Sequence, residues 1–173
     1  MMLLTAQREG EVAGMGWSEL DIEKRIWAIP GARSKNGKPH IVHLSAMAIE
    51  ILEQVPRVAG QDLLFSGTGK TPVSGFSRAK ARIDRLMGGD IAPWVLHDLR
   101  RTATTGMARL GIAPHVADRV LNHQAGTIRG VAAVYNRFEY LDERKAALEA
   151  WGRLVESLVR PALSNVVPLA KVR

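Results

Sequence analysis

A histidine and an arginine stand three residues apart in the run LHDLRRT, which covers positions 96–102 and reads as the start of a helix. At this spacing the side chains of His97 and Arg100 emerge on one helix face. An imidazole can exchange a proton, and a guanidinium can hold a phosphate with two parallel hydrogen bonds. Such a pair occurs by chance in many chains. On its own it is also consistent with an ordinary solvated helix start.

Four further residues could act with this pair, namely Arg8, Lys35, His123 and Tyr135. They add a second guanidinium, an ammonium group, a second imidazole and a phenol. Reactions at a phosphate use such groups to donate hydrogen bonds to its oxygens, to supply a proton and to act as the nucleophile. Glu11 follows Arg8 by three residues and could orient it.

Each of these residues also has a structural interpretation. Arg8 could form a surface salt bridge at a helix end, and His123 could cap the carbonyl groups of the preceding helix. The ammonium group of Lys35 could be a solvated hairpin charge, with Lys38 as a rival for its role. Tyr135 has a competitor in Tyr140, and a buried structural role is open to either.

The chain has 173 residues, enough for one domain with a hydrophobic core. Its 24 Lys and Arg exceed its 17 Asp and Glu, and this excess favours a polyanionic partner, either nucleic acid or an acidic membrane surface. Cysteine is absent, which excludes disulfides and thiolate metal sites and fits a cytoplasmic setting in a bacterium. The opening apolar residues are too few for a signal peptide or a membrane span, so we expect a soluble protein.

The elements that must position these residues are mostly helical. The pattern predicts a helix over 2–15 with a break at 7–10, a turn at 17–21, and strands at 25–29 and 40–44. Between the strands, Asn36-Gly37 predicts a tight hairpin in which both residues have positive φ, with Lys35 beside its tip. The apolar run 63–65 predicts an edge strand.

Helices are predicted at 46–55 with Ser45 as N-cap, at 76–87 with a basic side, and at 97–110 before Gly111. A short helix is predicted from Pro114 to about position 122, and a long one over 141–159. The predicted fold class is therefore α+β, mainly α-helical, with a small antiparallel sheet. His40 and His43 have odd spacing in a strand and point to opposite faces, so no metal site is predicted.

The ordered set resembles the catalytic domain of the tyrosine recombinases, and most closely the phage-type integrases. The matching runs are TAQREGEV at 5–12, HDLRRT at 97–102, LNH at 121–123 and YNRFEYLDE at 135–143, with Lys35 between the first two. The resemblance covers nearly the whole chain. It implies the integrase catalytic-domain fold and site-specific DNA recombination, as in the integration or excision of a phage or genomic island, without a metal or other cofactor.

The resemblance also implies a role for each residue. Arg8 and Arg100 would bind the non-bridging phosphate oxygens, and Tyr135 would attack phosphorus to form a 3′-phosphotyrosyl bond. Lys35 would protonate the departing 5′-oxygen.

The remaining three residues would assist. His97 would aid proton transfer at Tyr135 or hold the phosphate, and His123 would donate a hydrogen bond to a phosphate oxygen. Glu11 would support Arg8 from behind. Asn122 stands where many relatives have glycine.

At the level of the molecule, the resemblance predicts a single catalytic domain over 1–173 with a tail at 161–173, and it predicts that the amino-terminal DNA-clamping domain of such integrases is absent. The implied partners are double-stranded DNA at attachment sites and further copies of the chain, which form a tetramer on DNA in the bacterial nucleoid. Two alternatives are a non-catalytic DNA-binding remnant and a type IB topoisomerase-like enzyme that relaxes supercoils. Membrane binding is disfavoured, since no helix combines a basic face with a bulky apolar one.

Overall fold

A computed structural model describes residues 1–89, 91–123 and 138–160. Within these ranges a mainly helical fold contains one small antiparallel sheet, which confirms the predicted fold class. The helices are α1 Met2–Thr5, α2 Glu9–Ala13, a 3₁₀ turn Trp17–Glu19, α3 Ala46–Glu53, α4 Phe76–Met87, α5 Asp98–Arg109, α6 Pro114–Val120 and α7 Leu141–Val159, and the strands are β1 Leu20–Asp21, β2 Ile26–Ile29 and β3 His40–His43.

The sheet has the order β1-β2-β3, and both pairs of neighbouring strands are antiparallel. Trp27 lies at its centre, paired with Leu20 on one side and Val42 on the other, and its side chain is fully buried. The sequence pattern predicts a turn at 17–21. The structure instead ends this turn with β1, a strand too short for an alternation pattern to reveal.

The prediction of a tight Asn36-Gly37 hairpin is wrong. Ile29 pairs with His40, so residues 30–39 form a longer loop, called here the Lys35 loop. Gly37 has a φ of 73°, whereas Asn36 does not adopt a positive φ. The Gly37 amide donates to the Ser34 carbonyl at 3.0 Å, so Asn36 lies inside a four-residue turn rather than at the first position of a two-residue hairpin.

The predicted helices α4 to α7 are confirmed, and the break between α1 and α2 falls at the expected place. The apolar run at 63–65 forms a single bridge from Leu63 to Gly16 instead of a strand. Helix α4 contains no buried residue, although its apolar residues follow a helical spacing.

Helix α7 organises the core, packing against α1, α3, α5 and α6. Trp151 in its middle is buried and donates from Nε1 to the Leu3 carbonyl at 2.8 Å. Gly106 of α5 lies against the ring of Trp151 and leaves the space that the ring occupies. Among the described residues no helix has the length and apolarity required to cross a membrane.

Candidate active site

Arg8 lies at the break between the first two helices, as predicted. Ala6 ends α1 in the left-handed region with a φ of 54°, and Arg8 is the extended N-cap residue of α2. Glu11 in the first turn of α2 accepts hydrogen bonds from the Arg8 backbone amide at 3.0 Å and from its Nη1 at 3.2 Å. The carboxylate is 4% exposed and the arginine 22%, so Glu11 holds a guanidinium that an anion can still reach.

The same carboxylate also contacts the Lys35 loop. The backbone amide of Lys35 donates to Glu11 Oε1 at 3.4 Å, while the Lys35 side chain is exposed. Lys38, its sequence rival, is exposed as well, and its amide donates to the Asn36 side chain at 3.0 Å. Of the two lysines, Lys35 is thus the one whose backbone shares an acceptor with Arg8.

Arg100 lies in the first turn of α5 and connects two segments that are distant in the sequence. Its guanidinium is buried and donates from Nη1 to the Ala6 carbonyl and from Nη2 to the Leu121 carbonyl at 2.8 Å. Ala6 lies just before Arg8, and Leu121 lies just before His123. Arg100 therefore ties both of these predicted site residues to its own helix.

Burial and, to a lesser degree, the nearby positive charge of Arg8 lower the pKa of Arg100 to about 10, while Glu11 opposes this shift. Arg100 still carries its proton at neutral pH. The hydrogen-bond acceptors that it meets among the described residues are carbonyl oxygens, which bring no negative charge. Two neighbouring guanidiniums with one carboxylate leave net positive charge, which favours an anion.

His97 is the exposed N-cap residue of α5. Partial burial and then the charges of Arg100, Arg101 and, more weakly, Arg8 lower its pKa below the ordinary value, although Asp98 opposes them. The imidazole is therefore neutral at pH 7 and can both donate and accept a hydrogen bond. His97 precedes Arg100 by three residues at the start of α5, so the two side chains emerge at the same end of this helix.

His123 follows α6 in a C-terminal cap. Asn122 adopts a φ of 53°, its amide donates to the Arg119 carbonyl at 3.2 Å, and the His123 amide donates to the Asp118 carbonyl at 3.0 Å. These two bonds form a Schellman motif, so the backbone rather than the imidazole caps the helix. The ring keeps 44% of its surface exposed, with Nδ1 at 3.3 Å from a carboxylate oxygen of Asp118.

The end of α6 is held by residues that sequence reasoning missed. The Val120 carbonyl accepts from Gln7 Nε2 at 2.9 Å and from His40 Nε2 at 3.2 Å. The Asn122 side chain bonds to two residues of the Lys35 loop, Ser34 and Asn36. These partners lie far apart in the sequence, so no local pattern reveals them.

Tyr135 lies outside the described residues. Tyr140, its sequence competitor, precedes α7 with a φ of 51°, and its ring packs 4.8 Å from His115 and 4.9 Å from Phe138.

His40 and His43 have separate partners. His40 Nε2 bonds to the Val120 carbonyl, and His43 Nε2 lies 2.8 Å from Glu149.

The structure thus links Arg8 and Lys35 through Glu11, and it ties Arg100 to the carbonyls of Ala6 and Leu121, two residues before Arg8 and His123. His97 lies at the N-cap of the helix that carries Arg100. The fold, helical with a small sheet, is similar to that of solved tyrosine recombinases. The integrase from mycobacterium phage Brujita superposes with a TM-score of 0.64 and 19% identity, over 86% of this chain and 48% of that one. A Tn1549 transposon integrase, determined in complex with circular intermediate DNA, gives a TM-score of 0.53 and 18% identity, over 86% and 55%.

The sequence defines the family. Residues 1–139 match the model of the phage integrase family, and the chain belongs to that family. Prophage integrase IntA of Escherichia coli strain K12 is 33% identical over 158 residues, which cover 90% of this chain and 37% of IntA. The chain therefore spans well under half the length of this relative.

Proposed function

We propose that this chain acts as a catalytic domain that breaks and rejoins double-stranded DNA at specific sites through a covalent phosphotyrosine. The observation that carries the proposal is that the buried guanidinium of Arg100 bonds to the Ala6 carbonyl, two residues before Arg8, whose guanidinium is held by Glu11. A transferring phosphoryl group spreads negative charge over its non-bridging oxygens, and fixed guanidinium groups are suited to stabilise it. The Tn1549 integrase with this fold binds DNA in its solved complex, which supports DNA as the partner here.

The proposed reaction begins with attack of the Tyr135 hydroxyl oxygen on a backbone phosphorus. The bond from phosphorus to the 5′-oxygen breaks, the phenol proton leaves through His97, and Lys35 supplies a proton to the departing oxygen. Arg8, Arg100 and His123 bind the non-bridging oxygens. Because the phosphotyrosyl bond conserves the energy of the original one, a second DNA 5′-hydroxyl can reverse the step and join a new partner strand.

Recombination between two duplexes requires the cleavage of four strands, and each cleavage uses the tyrosine of one copy of the protein. We therefore propose that four copies of the protein assemble on the DNA. The DNA would be that of a bacterium or a phage. Each copy would contribute its own set of site residues.

A substrate that traps the covalent product tests the proposal whatever the target sequence is. The probe is a pool of DNA duplexes with a sulfur in place of one bridging 5′-oxygen and random sequence on both sides. Cleavage releases a thiol, which rejoins poorly, so the protein-DNA adduct accumulates. The adduct is then isolated under denaturing conditions and its DNA is sequenced.

We expect wild type and the control Tyr140→Phe to form the adduct, and Tyr135→Phe to form none. Mass spectrometry of the attached peptide identifies the modified tyrosine. An adduct formed by Tyr135→Phe would overturn the assignment of the nucleophile. Salt-sensitive DNA binding without any adduct in wild type would instead show a DNA-binding protein without this activity.

A further inference from the structure

We propose that Asn122 is a positioning residue that holds the Lys35 loop against the His123 segment, so that Lys35 and His123 reach the same phosphate. This inference rests on the proposed function. It is carried by hydrogen bonds that join residues 34–36 to residue 122, two parts of the chain that lie far apart in sequence.

Three side chains form a closed ring of hydrogen bonds. Asn122 Nδ2 donates to Ser34 Oγ at 3.0 Å, Ser34 Oγ donates to Asn36 Oδ1 at 2.9 Å, and Asn36 Nδ2 donates to Asn122 Oδ1 at 2.6 Å. Each group both donates and accepts, so every bond of the ring supports the next one. Lys35 lies between two members of the ring, which therefore fixes its backbone from both sides.

The backbone of Asn122 has a separate task. Its φ of 53° completes the cap of α6, a conformation that glycine adopts freely and that asparagine tolerates better than most residues. Glycine at this position would preserve the cap but would remove the side chain from the ring. Asn122→Gly therefore separates the link to the Lys35 loop from the folding of α6.

The link matters because the other hydrogen bond of the Lys35 backbone, within the described part of the chain, is weak. Arg33 anchors the start of the loop through Glu19 and the Glu11 carbonyl. The amide of Lys35, in contrast, meets Glu11 at 3.4 Å, longer than a usual hydrogen bond. A lysine side chain is a flexible four-carbon stem, so its ammonium group is poorly positioned as a proton donor unless the backbone is fixed. Without the ring, the backbone from which the Lys35 side chain extends would lose its fixed position relative to the His123 segment.

The position of a proton donor can be tested by changing the leaving group. Departure of a 5′-oxygen requires a proton, whereas a thiol is far more acidic than an alcohol, so a 5′-sulfur departs as the thiolate without one. The experiment measures single-turnover cleavage of one target, selected from the trapping pool, in its oxygen form and in its sulfur form. The proteins are wild type, Asn122→Gly, Asn36→Ala, the double variant and Lys35→Ala.

On oxygen DNA we expect Asn122→Gly to cleave about 10- to 100-fold more slowly, the size of effect expected when a catalytic group is misplaced by about 1 Å. On sulfur DNA its rate should return close to that of wild type, as for Lys35→Ala. Asn36→Ala should behave in the same way, and the double variant should be no slower than either single variant, because all of them break one ring.

Wild-type rates of Asn122→Gly on oxygen DNA would overturn the inference, as would an equal loss on both substrates. A separate measurement does not depend on activity. Amide hydrogen exchange at residues 34–38 should be faster in Asn122→Gly than in wild type, and unchanged exchange would also overturn the inference. If wild type cleaves neither substrate, the proposed function fails, while the exchange result still decides whether Asn122 anchors the Lys35 loop.

Discussion

Two buried charges of the site have partners of different kinds. Glu11 has the guanidinium of Arg8 as its counter-ion, so the desolvated carboxylate is compensated. Arg100 instead meets the carbonyls of Ala6 and Leu121. A buried cation held by dipoles keeps its charge available, and this is the property that binding of a phosphate requires.

At the residue scale, the buried His40 makes the stability of the protein depend on pH. Burial and, to a lesser degree, the charge of Arg144 lower the pKa of the His40 ring from 6.5 to about 4, although the hydrogen bond from its Nε2 to the Val120 carbonyl opposes this shift. The folded protein therefore favours the neutral ring. The resulting stability is fully present above pH 6.5 and is lost as the pH falls through 6.5 toward 4, by up to about 3 kcal/mol at about 1.4 kcal/mol per pKa unit.

The variant His40→Gln keeps a side-chain amide but does not titrate in this range. Urea unfolding at a series of pH values should therefore give a flatter curve of unfolding free energy against pH for the variant than for wild type. Parallel curves for the two proteins would show that another group causes the acid sensitivity.

At the scale of elements, α5 and α7 are held at a short distance by a glycine. A Cβ added to Gly106 would overlap the ring of Trp151, which is buried and anchored through Nε1 to the Leu3 carbonyl. This close contact positions α5, and α5 begins with His97 and Arg100. The packing of these two helices thus helps to set where His97 and Arg100 lie.

We expect Gly106→Ala to lower the free energy of unfolding by about 1–3 kcal/mol, since overpacking outweighs the gain in helix propensity. The control is Gly10→Ala in α2, where an added Cβ meets no atom within 4 Å. This control should be neutral or should stabilise the protein by up to about 1 kcal/mol. Chemical denaturation measures both, and equal effects of the two substitutions would contradict the packing argument.

At the scale of the whole molecule, positive charge is distributed unevenly. Helix α4 has the sequence FSRAKARIDRLM, with four basic residues and one acid, and none of its residues is buried. Helix α7 has three basic residues and four acids in LDERKAALEAWGRLVESLV. If the chain binds DNA as proposed, α4 is the better candidate for contacts with the phosphate backbone.

The exposed pair Arg82 and Arg85 on α4 tests this assignment against the exposed pair Lys145 and Arg153 on α7. Replacing both arginines of α4 with alanine should reduce the slope of log affinity against log salt concentration by about 2, one unit for each lost phosphate contact. The double alanine variant of α7 should leave the slope unchanged. Fluorescence anisotropy with a labelled duplex over a salt series gives both slopes, and equal reductions would remove the special role of α4.

The sequence alone determined the helices and two of the strands, because the spacing of apolar residues, Pro114 and Gly111 act locally. It also determined the types and the order of the candidate site residues. The local signal failed at Asn36-Gly37, where it predicted a tight hairpin and the structure has the longer Lys35 loop.

Only the tertiary structure decided how these residues are held. The bonds from Arg100 to Ala6 and Leu121 and from Asn36 to Asn122 join segments far apart in the chain. Such bonds depend on the packing of α5, α6 and the sheet against one another, and they impose no spacing on neighbouring residues. For this physical reason the residue types of the candidate site were visible in the sequence, whereas the bonds that hold them were not.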